Sequence, residues 1–296
     1  MRKCILANLI GILVCVVLTG CINKNIGEIN EVIVSEEESQ TIPIETELPL
    51  KSPTFIEVNY SDCFQGLKGC AVFYNSDSCE YKLYNKEICQ KQVSPCSTFK
   101  IISTLIGLEN GVISSKDSKM GFNNTIYPIM TWNSDLTLKE AFQSSCVWYF
   151  KKVIDMVGQE KTKEILDELG YGNCDISEWD GSNINPLPDI NGFWLESSLK
   201  ISPQEQVEVL AKIFDSGTNF ESKNIEITKE VMFVNKIGNI SVFGKTGTGT
   251  NHAWFTGMVE NGATRYYFVV HLEDDRVCGK QAKEIARDII SKYYDD

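Results

Sequence analysis

Strand-forming segments at both ends of the chain's body, with helical ones between them, constrain this fold more than any other feature. Near the N-terminal end, Gly69–Tyr74 and Tyr81–Tyr84 read as a hairpin about Asn75-Ser76-Asp77. Near the C-terminal end, Ser241–Thr246, Ala253–Glu260 and Thr264–Leu272 read as three strands, with Asn261-Gly262 as a hairpin turn between the last two. Between these groups the pattern is helical. Leu136–Met156 reads as helical segments broken or tightened near Ser144-Ser145. Ser202-Pro203-Gln204-Glu205 fits a capping box with proline at its first helical position, opening a helix through Phe214 with Val207, Leu210, Ala211 and Phe214 on one apolar face. Lys280–Tyr293 is an amphipathic terminal helix. The order predicts an α/β fold of α+β type. An antiparallel sheet is built from both termini and flanked by helices, and a helical subdomain is inserted into it.

The body begins near residue 54. Residues 1–20 read as a leader, with Arg2 and Lys3 ahead of an apolar stretch from Ile5 to Leu18 that is short for a membrane span of about 20 residues. It ends in Leu18-Thr19-Gly20-Cys21, which resembles a bacterial lipobox with Cys21 as the lipidated residue. An uncleaved membrane anchor is the alternative, and either one exports the rest of the chain. The expected location is the outer face of the cell membrane. Residues 21–53 read as an acidic tether, with seven Glu between Ile22 and Pro53 against Lys24 and Lys51, too polar to fold alone. The remaining stretch, 54–296, is long enough for one large domain or two subdomains sharing a cleft. A net charge of −12 argues against a nucleic-acid partner.

Beyond the leader and Cys21 lie eight cysteines: Cys63, Cys70, Cys79, Cys89, Cys96, Cys146, Cys174 and Cys278. Export permits disulfides, and Cys63, Cys70, Cys79 and Cys89 could pair in three ways. Buried free thiols are the other reading. No Cys-x-x-Cys pair occurs, and His252 and His271 are the only histidines, so no metal is expected.

Ser97-Thr98-Phe99-Lys100 is the first candidate for chemistry. A serine and a lysine three apart share one face of a helix. Pro95 favours a turn into a helix starting at or near Ser97, where N-terminal backbone N–H groups favour developing negative charge. That arrangement suits a serine nucleophile with an amine base beside it. Taken alone, the tetrapeptide also fits an exposed helical start.

Downstream come Ser145-Cys146-Val147 and Lys245-Thr246-Gly247-Thr248, in the order S-x-x-K, S-x-V, K-T-G. Tyr171-Gly172-Asn173 and Phe193-Trp194-Leu195-Glu196 lie between them. With Trp254–Glu260 after K-T-G, the ordered set resembles the class D (oxacillinase-type) serine β-lactamases over nearly the whole body. The resemblance implies hydrolysis of β-lactams, penicillins first, through an acyl-enzyme on Ser97. It implies oxyanion donors at the Ser97 and Thr248 backbone N–H groups. It implies no cofactor, but CO2 held covalently as a carbamate on Lys100, which serves as general base. Phe99, Val147, Trp194 and Leu195 would line that lysine's pocket, with Trp194 giving its indole N–H to the carbamate. Ser145 would relay a proton to the leaving nitrogen. Lys245, Thr246, Gly247 and Thr248 would bind substrate.

Three departures stand out. The arginine expected near the start of the last helix is replaced by Lys280, with Arg276 as the alternative carboxylate anchor. The stretch from Tyr171 to Trp194, which includes Trp179, is longer than the family pattern and predicts an enlarged loop near the site. Cys96 and Cys146 flank the two serines as buried small side chains or as an oxidation-sensitive feature.

The principal alternative is a β-lactam sensor or penicillin-binding domain that is acylated without efficient turnover. Full-length sensors carry several membrane helices and an H-E-x-x-H protease, neither visible here, and a polar residue where this chain has Val147. A cell-wall transpeptidase or carboxypeptidase would show S-x-N at that motif. A noncatalytic lipoprotein would leave the motif set unexplained. The expected partners are β-lactam small molecules and, through Cys21, a membrane; oligomeric state is left open.

Overall fold

A computed structural model describes residues 51–215 and 217–295. The leader, Cys21 and nearly all of the tether lie outside the described residues. Among the described residues there are seven strands: β1 (Thr54–Glu57), β2 (Gly69–Asn75), β3 (Glu80–Tyr84), β4 (Phe233–Ile237), β5 (Ile240–Thr248), β6 (His252–Asn261) and β7 (Thr264–Glu273). They form one sheet in the order β1-β3-β2-β7-β6-β5-β4. The sheet closes between the two ends of the chain: β2 runs antiparallel to β7, with Ala71 opposite Val270 and Val72 opposite Val269. The expected sheet from both termini is therefore present.

Helices α1 (Ser61–Phe64) and α2 (Lys86–Cys89) are single turns. The longer α3 (Lys100–Glu109), α4 (Leu138–Gln143), α5 (Val147–Val157), α6 (Gln159–Leu169), α7 (Pro203–Phe214) and α8 (Ser222–Met232) lie in sequence between β3 and β4, and α9 (Gly279–Tyr293) closes the chain. Alternation along the strands sends side chains to two cores. Ala71, Phe73, Phe255 and Val270 pack with Ala286, Ile289 and Ile290 of α9. Cys70, Val72, Tyr267 and Val269 face the larger core, with Phe99, Leu105, Tyr149 and Trp194. Each buried aliphatic or aromatic side chain stabilises the fold by about 1.5–3 kcal/mol.

The local signals map onto these elements. Ser202 caps α7 in a reciprocal box with Glu205, and Pro203 occupies its first turn. Asn75 Oδ1 accepts from the Ser78 N–H at 2.9 Å in the β2–β3 turn. Gly262 has a φ of +60° between Asn261 and Thr264, as a two-residue hairpin requires. The helical segment from Leu136 breaks at Ser145, whose φ is +56°.

Some elements differ from expectation. The helix expected at Ser97 opens as a 3-10 turn, Cys96–Phe99, before α3 begins at Lys100. The edge strands β1 and β4 lack the alternation that marks a strand in sequence. All four residues of β1 are exposed, and β4 alternates only weakly. β1 also pairs parallel to β3, so the sheet is not wholly antiparallel. All eight cysteines beyond Cys21 are free thiols.

Gly172 shows how backbone freedom sustains the layout. Its φ is +55°, and a Cβ there would lie 1.9 Å from the Lys200 carbonyl oxygen. Gly172→Ala is expected to cost about 3 kcal/mol or more. The check is thermal unfolding: Tm should fall by roughly 10 °C, and an unchanged Tm would contradict the close approach.

Candidate active site

The 3-10 turn delivers Ser97 to the mouth of a cleft and α3 carries Lys100 beneath it. Lys100 Nζ lies 3.0 Å from Ser97 Oγ. The lysine is fully buried, and burial pulls its pKa from 10.5 down to about 8, a shift that the nearby Cys146 and Cys96 thiols oppose. An amine with that pKa is neutral in an appreciable fraction of molecules near neutral pH, and a neutral amine can accept a proton.

A second serine–lysine pair faces the first. Lys245 on β5 donates to Ser145 Oγ and, at 2.9 Å, to the Thr246 carbonyl. Burial holds the Lys245 pKa well below the ordinary lysine range, helped by repulsion from Lys100 and Lys283. Strand β5 can approach the Ser97 turn because Gly247 has no side chain: a Cβ would stand 3.1 Å from the Pro95 carbonyl and 3.2 Å from Thr98 Cγ2. Thr248, the last residue of β5, accepts the Gly279 N–H on its Oγ1 at 2.9 Å.

Aromatic packing forms the floor. Phe99 stacks on Trp194 at 5.4 Å and meets Phe193 and Tyr171 edge-on at 5.3 and 5.7 Å. Ser94 fixes the Trp194–Glu196 segment, its Oγ donating to the Trp194 carbonyl and accepting the Glu196 N–H, both at 2.9 Å. Asn173 ties its own loop to the same segment, donating to the Ser198 carbonyl at 2.9 Å and accepting the Lys200 N–H at 2.9 Å. Trp194 is buried, and its indole Nε1 has no hydrogen-bond partner within the described protein. An orphaned buried donor costs about 1–3 kcal/mol.

Ser97, Ser145, Val147, Leu195, Thr246 and Thr248 line one cavity of about 420 Å³. Lys100, Lys245, Phe99, Trp194 and Gly247 lie behind its wall, all buried. The structure thus brings together every expected site residue of the body except Lys280. That side chain is 81% exposed and stands 3.8 Å from Glu284. It lines a different groove with Lys283, Glu284 and Arg287. Helical phase explains the difference: Gly279 packs against Thr246, and the next residue turns about 100° away, onto the face shared by positions three, four and seven further on. Arg276 is exposed and also absent from the cavity lining.

The cavity has walls that the motifs did not identify. Ile129 and Trp132 come from the segment before α4. Ile184, Asn185 and Ile190 come from the long stretch between Tyr171 and Trp194, so the expected enlarged loop borders the site. Trp179 anchors that loop, stacking on Phe193 at 5.2 Å and donating its indole N–H to Asp155 at 3.1 Å. Asn185 and Asn191 exchange further hydrogen bonds across it. The signal available in sequence was the length of the stretch, without the identity of the residues facing inward.

Comparison with known proteins agrees with this geometry. Residues 64–291 match the penicillin binding protein transpeptidase domain. The chain belongs to that family. Among its relatives, the Regulatory protein BlaR1 of Bacillus licheniformis is 36% identical over 242 residues, covering 79% of this chain and 38% of that protein. The Probable beta-lactamase YbxI of Bacillus subtilis is 30% identical over 240 residues, covering 80% of this chain and 85% of that protein. The solved C-terminal domain of the Bacillus licheniformis BlaR penicillin-receptor superposes with a TM-score of 0.75 at 33% identity, covering 83% of this chain and 99% of that domain. The chain spans 38–39% of the length of its regulatory relatives. The sheet and helices are those of the penicillin-recognising serine enzymes, class D β-lactamases included. Among the described residues, no helix is long and apolar enough to cross a membrane.

Proposed function

We propose that this chain binds β-lactams, penicillins first, and hydrolyses them through an acyl-enzyme on Ser97. The observation that carries the proposal is the lysine: Lys100 is wholly buried, 3.0 Å from Ser97 Oγ, with its pKa lowered to about 8. The neutral amine accepts the Ser97 proton as Oγ attacks the lactam carbonyl carbon. The Ser97 and Thr248 backbone N–H groups receive the developing oxyanion. As the ring C–N bond breaks, Ser145 gives its proton to the nitrogen, and Lys245 restores it. The Lys100 proton then passes through Ser145 to Lys245, leaving the Lys100 amine neutral. That amine takes a proton from the water that attacks the acyl carbon, the C–Oγ bond breaks, and Lys100 returns the proton to Ser97 Oγ.

The lysine pocket also suits a carbamate. Val147 and Phe99 keep it apolar, which favours the neutral amine that adds CO2, and the unpartnered Trp194 indole N–H is a donor for the added carboxylate. When formed, the group supplies a carboxylate base beside Ser97. The same proposal anchors the exported chain on the outer face of the membrane through a lipid on Cys21.

A sensor that is acylated and held is the second reading, favoured by the likeness to the BlaR penicillin-receptor domain. Val147, apolar and almost fully buried beside the site, favours turnover. The test is penicillin hydrolysis in CO2-depleted and bicarbonate-supplemented buffer. Hydrolysis should fall at least severalfold on depletion and recover on supplementation; equal rates would contradict the carbamate.

A further inference from the structure

We propose that Cys96 Sγ, His252 Nε2 and Glu196 Oε1 form a binding site for a thiophilic divalent ion of the zinc class, and that its occupation slows acylation of Ser97. The absence of a metal was expected from sequence because no two thiols or histidines stand at ligand spacing. The fold assembles this cluster instead from three distant segments: the nucleophile turn, the Trp194–Glu196 segment and the start of β6.

The donor atoms already stand close to a coordination geometry. Cys96 Sγ is 3.6 Å from His252 Nε2 and 3.6 Å from Glu196 Oε1, and the last two atoms are 3.7 Å apart. In a tetrahedral zinc site, with bonds of about 2.3 Å to sulfur and about 2.0–2.2 Å to nitrogen and oxygen, the ligand atoms are separated by roughly 3.3–3.6 Å. Thiolate, imidazole and carboxylate together form a zinc-type donor set. Cys96 and His252 are 1% and 9% exposed, so their geometry is set by packing.

Space and access are also present. A Cβ at Gly249 would lie 2.1 Å from Glu196 Oε1 and 2.7 Å from His252 Nε2, so the glycine leaves one side of the cluster open. A second cavity, of about 510 Å³, reaches Glu196 and His252 from the surface, with Asp274 and Asp275 on its rim. Lys91, on the same rim, is already paired with Glu273 at 2.8 Å. A fourth position facing this cavity is left for water.

The proton balance is simple. His252 Nε2 lies 3.1 Å from the Ser94 carbonyl. Binding moves the imidazole proton to Nδ1 and releases the thiol proton, one proton per ion. The Ser94 carbonyl keeps the Trp254 indole N–H at 3.0 Å. Glu196 Oε1 accepts the Thr250 N–H at 3.1 Å, a bond the ion would compete with. Cys96 immediately precedes Ser97, and Thr250 follows Thr248 by two residues. Pulling on Sγ and Oε1 therefore disturbs both proposed oxyanion donors. This coupling rests on the acylation reading; ion binding does not.

The experiment titrates the purified protein with cobalt(II), a spectroscopic stand-in for zinc. A thiolate-to-cobalt charge-transfer band should saturate at one ion per chain. Cys96→Ser should abolish it, and Gly249→Ala, which removes no ligand, should weaken binding at least tenfold. No band at saturating cobalt, or a band that persists in Cys96→Ser, would overturn the site. Zinc should then slow covalent labelling by a fluorescent penicillin at least tenfold in the unmodified protein, reversibly with a chelator, and leave Cys96→Ser unaffected. Unchanged labelling in a protein that shows the band would overturn the coupling. A protein that shows the band but never labels would count against the acylation reading while retaining the ion site.

Discussion

Ser97→Ala is expected to reduce penicillin hydrolysis by at least about 10⁴-fold and to abolish covalent labelling, because no other hydroxyl can replace the lost nucleophile. Ser145 Oγ shares the cavity but is engaged by Lys245, whereas Ser97 Oγ is the hydroxyl that Lys100 contacts. Stability should fall by no more than about 1–3 kcal/mol, the cost of leaving the buried Lys100 amine without its Ser97 partner. Ser97 is only partly buried, and its side-chain hydrogen bond is the one from Lys100. Mass spectrometry after incubation with penicillin measures the outcome. An acyl adduct on Ser97→Ala would remove Ser97 from the centre of the mechanism.

Lys100→Met separates catalysis from stability. Acylation should fall by about 10³-fold through loss of the general base. Stability should rise, because the fold forces a lysine into an apolar site. Its folded pKa of about 8 lies below the ordinary 10.5, so the folded state binds fewer protons between those values and stability increases with pH across that window. Below pH 8 the full penalty applies, about 3 kcal/mol at about 1.4 kcal/mol per pKa unit. Methionine fills a similar volume with no charge to desolvate, so Tm at pH 7 should rise by several degrees. In the unmodified protein under CO2-depleted buffer, acylation should climb with pH along a limb centred near pH 8 and level off above it. A limb centred near the ordinary lysine pKa would show that Lys100 is not the base, and a lowered Tm in the methionine variant would show that its amine stabilises the fold.

The site was legible where chemistry is compressed into short spacings. Ser97 and Lys100 share a turn, and Lys245–Thr248 share a strand, so local geometry predetermines their proximity. The central strands were legible because both of their faces are buried. The edge strands were not: β1 exposes every residue and β4 packs only lightly. Helical phase at the start of α9 places Lys280 outside the cavity lining, because one residue of shift rotates a side chain by about 100°. Ile184, Asn185 and Ile190 reach the cavity through a loop pinned by Asn191 and Trp179, a long-range arrangement with no periodic signature. The Cys96–Glu196–His252 cluster was invisible for the same reason.

The most direct measurement is the number of penicilloate molecules released per Ser97 active site when the protein meets excess penicillin. Turnover through a deacylating acyl-enzyme predicts many products per site, released steadily while substrate remains. A single equivalent of stable adduct on Ser97, with no further product, would contradict hydrolysis and make the chain a β-lactam sensor.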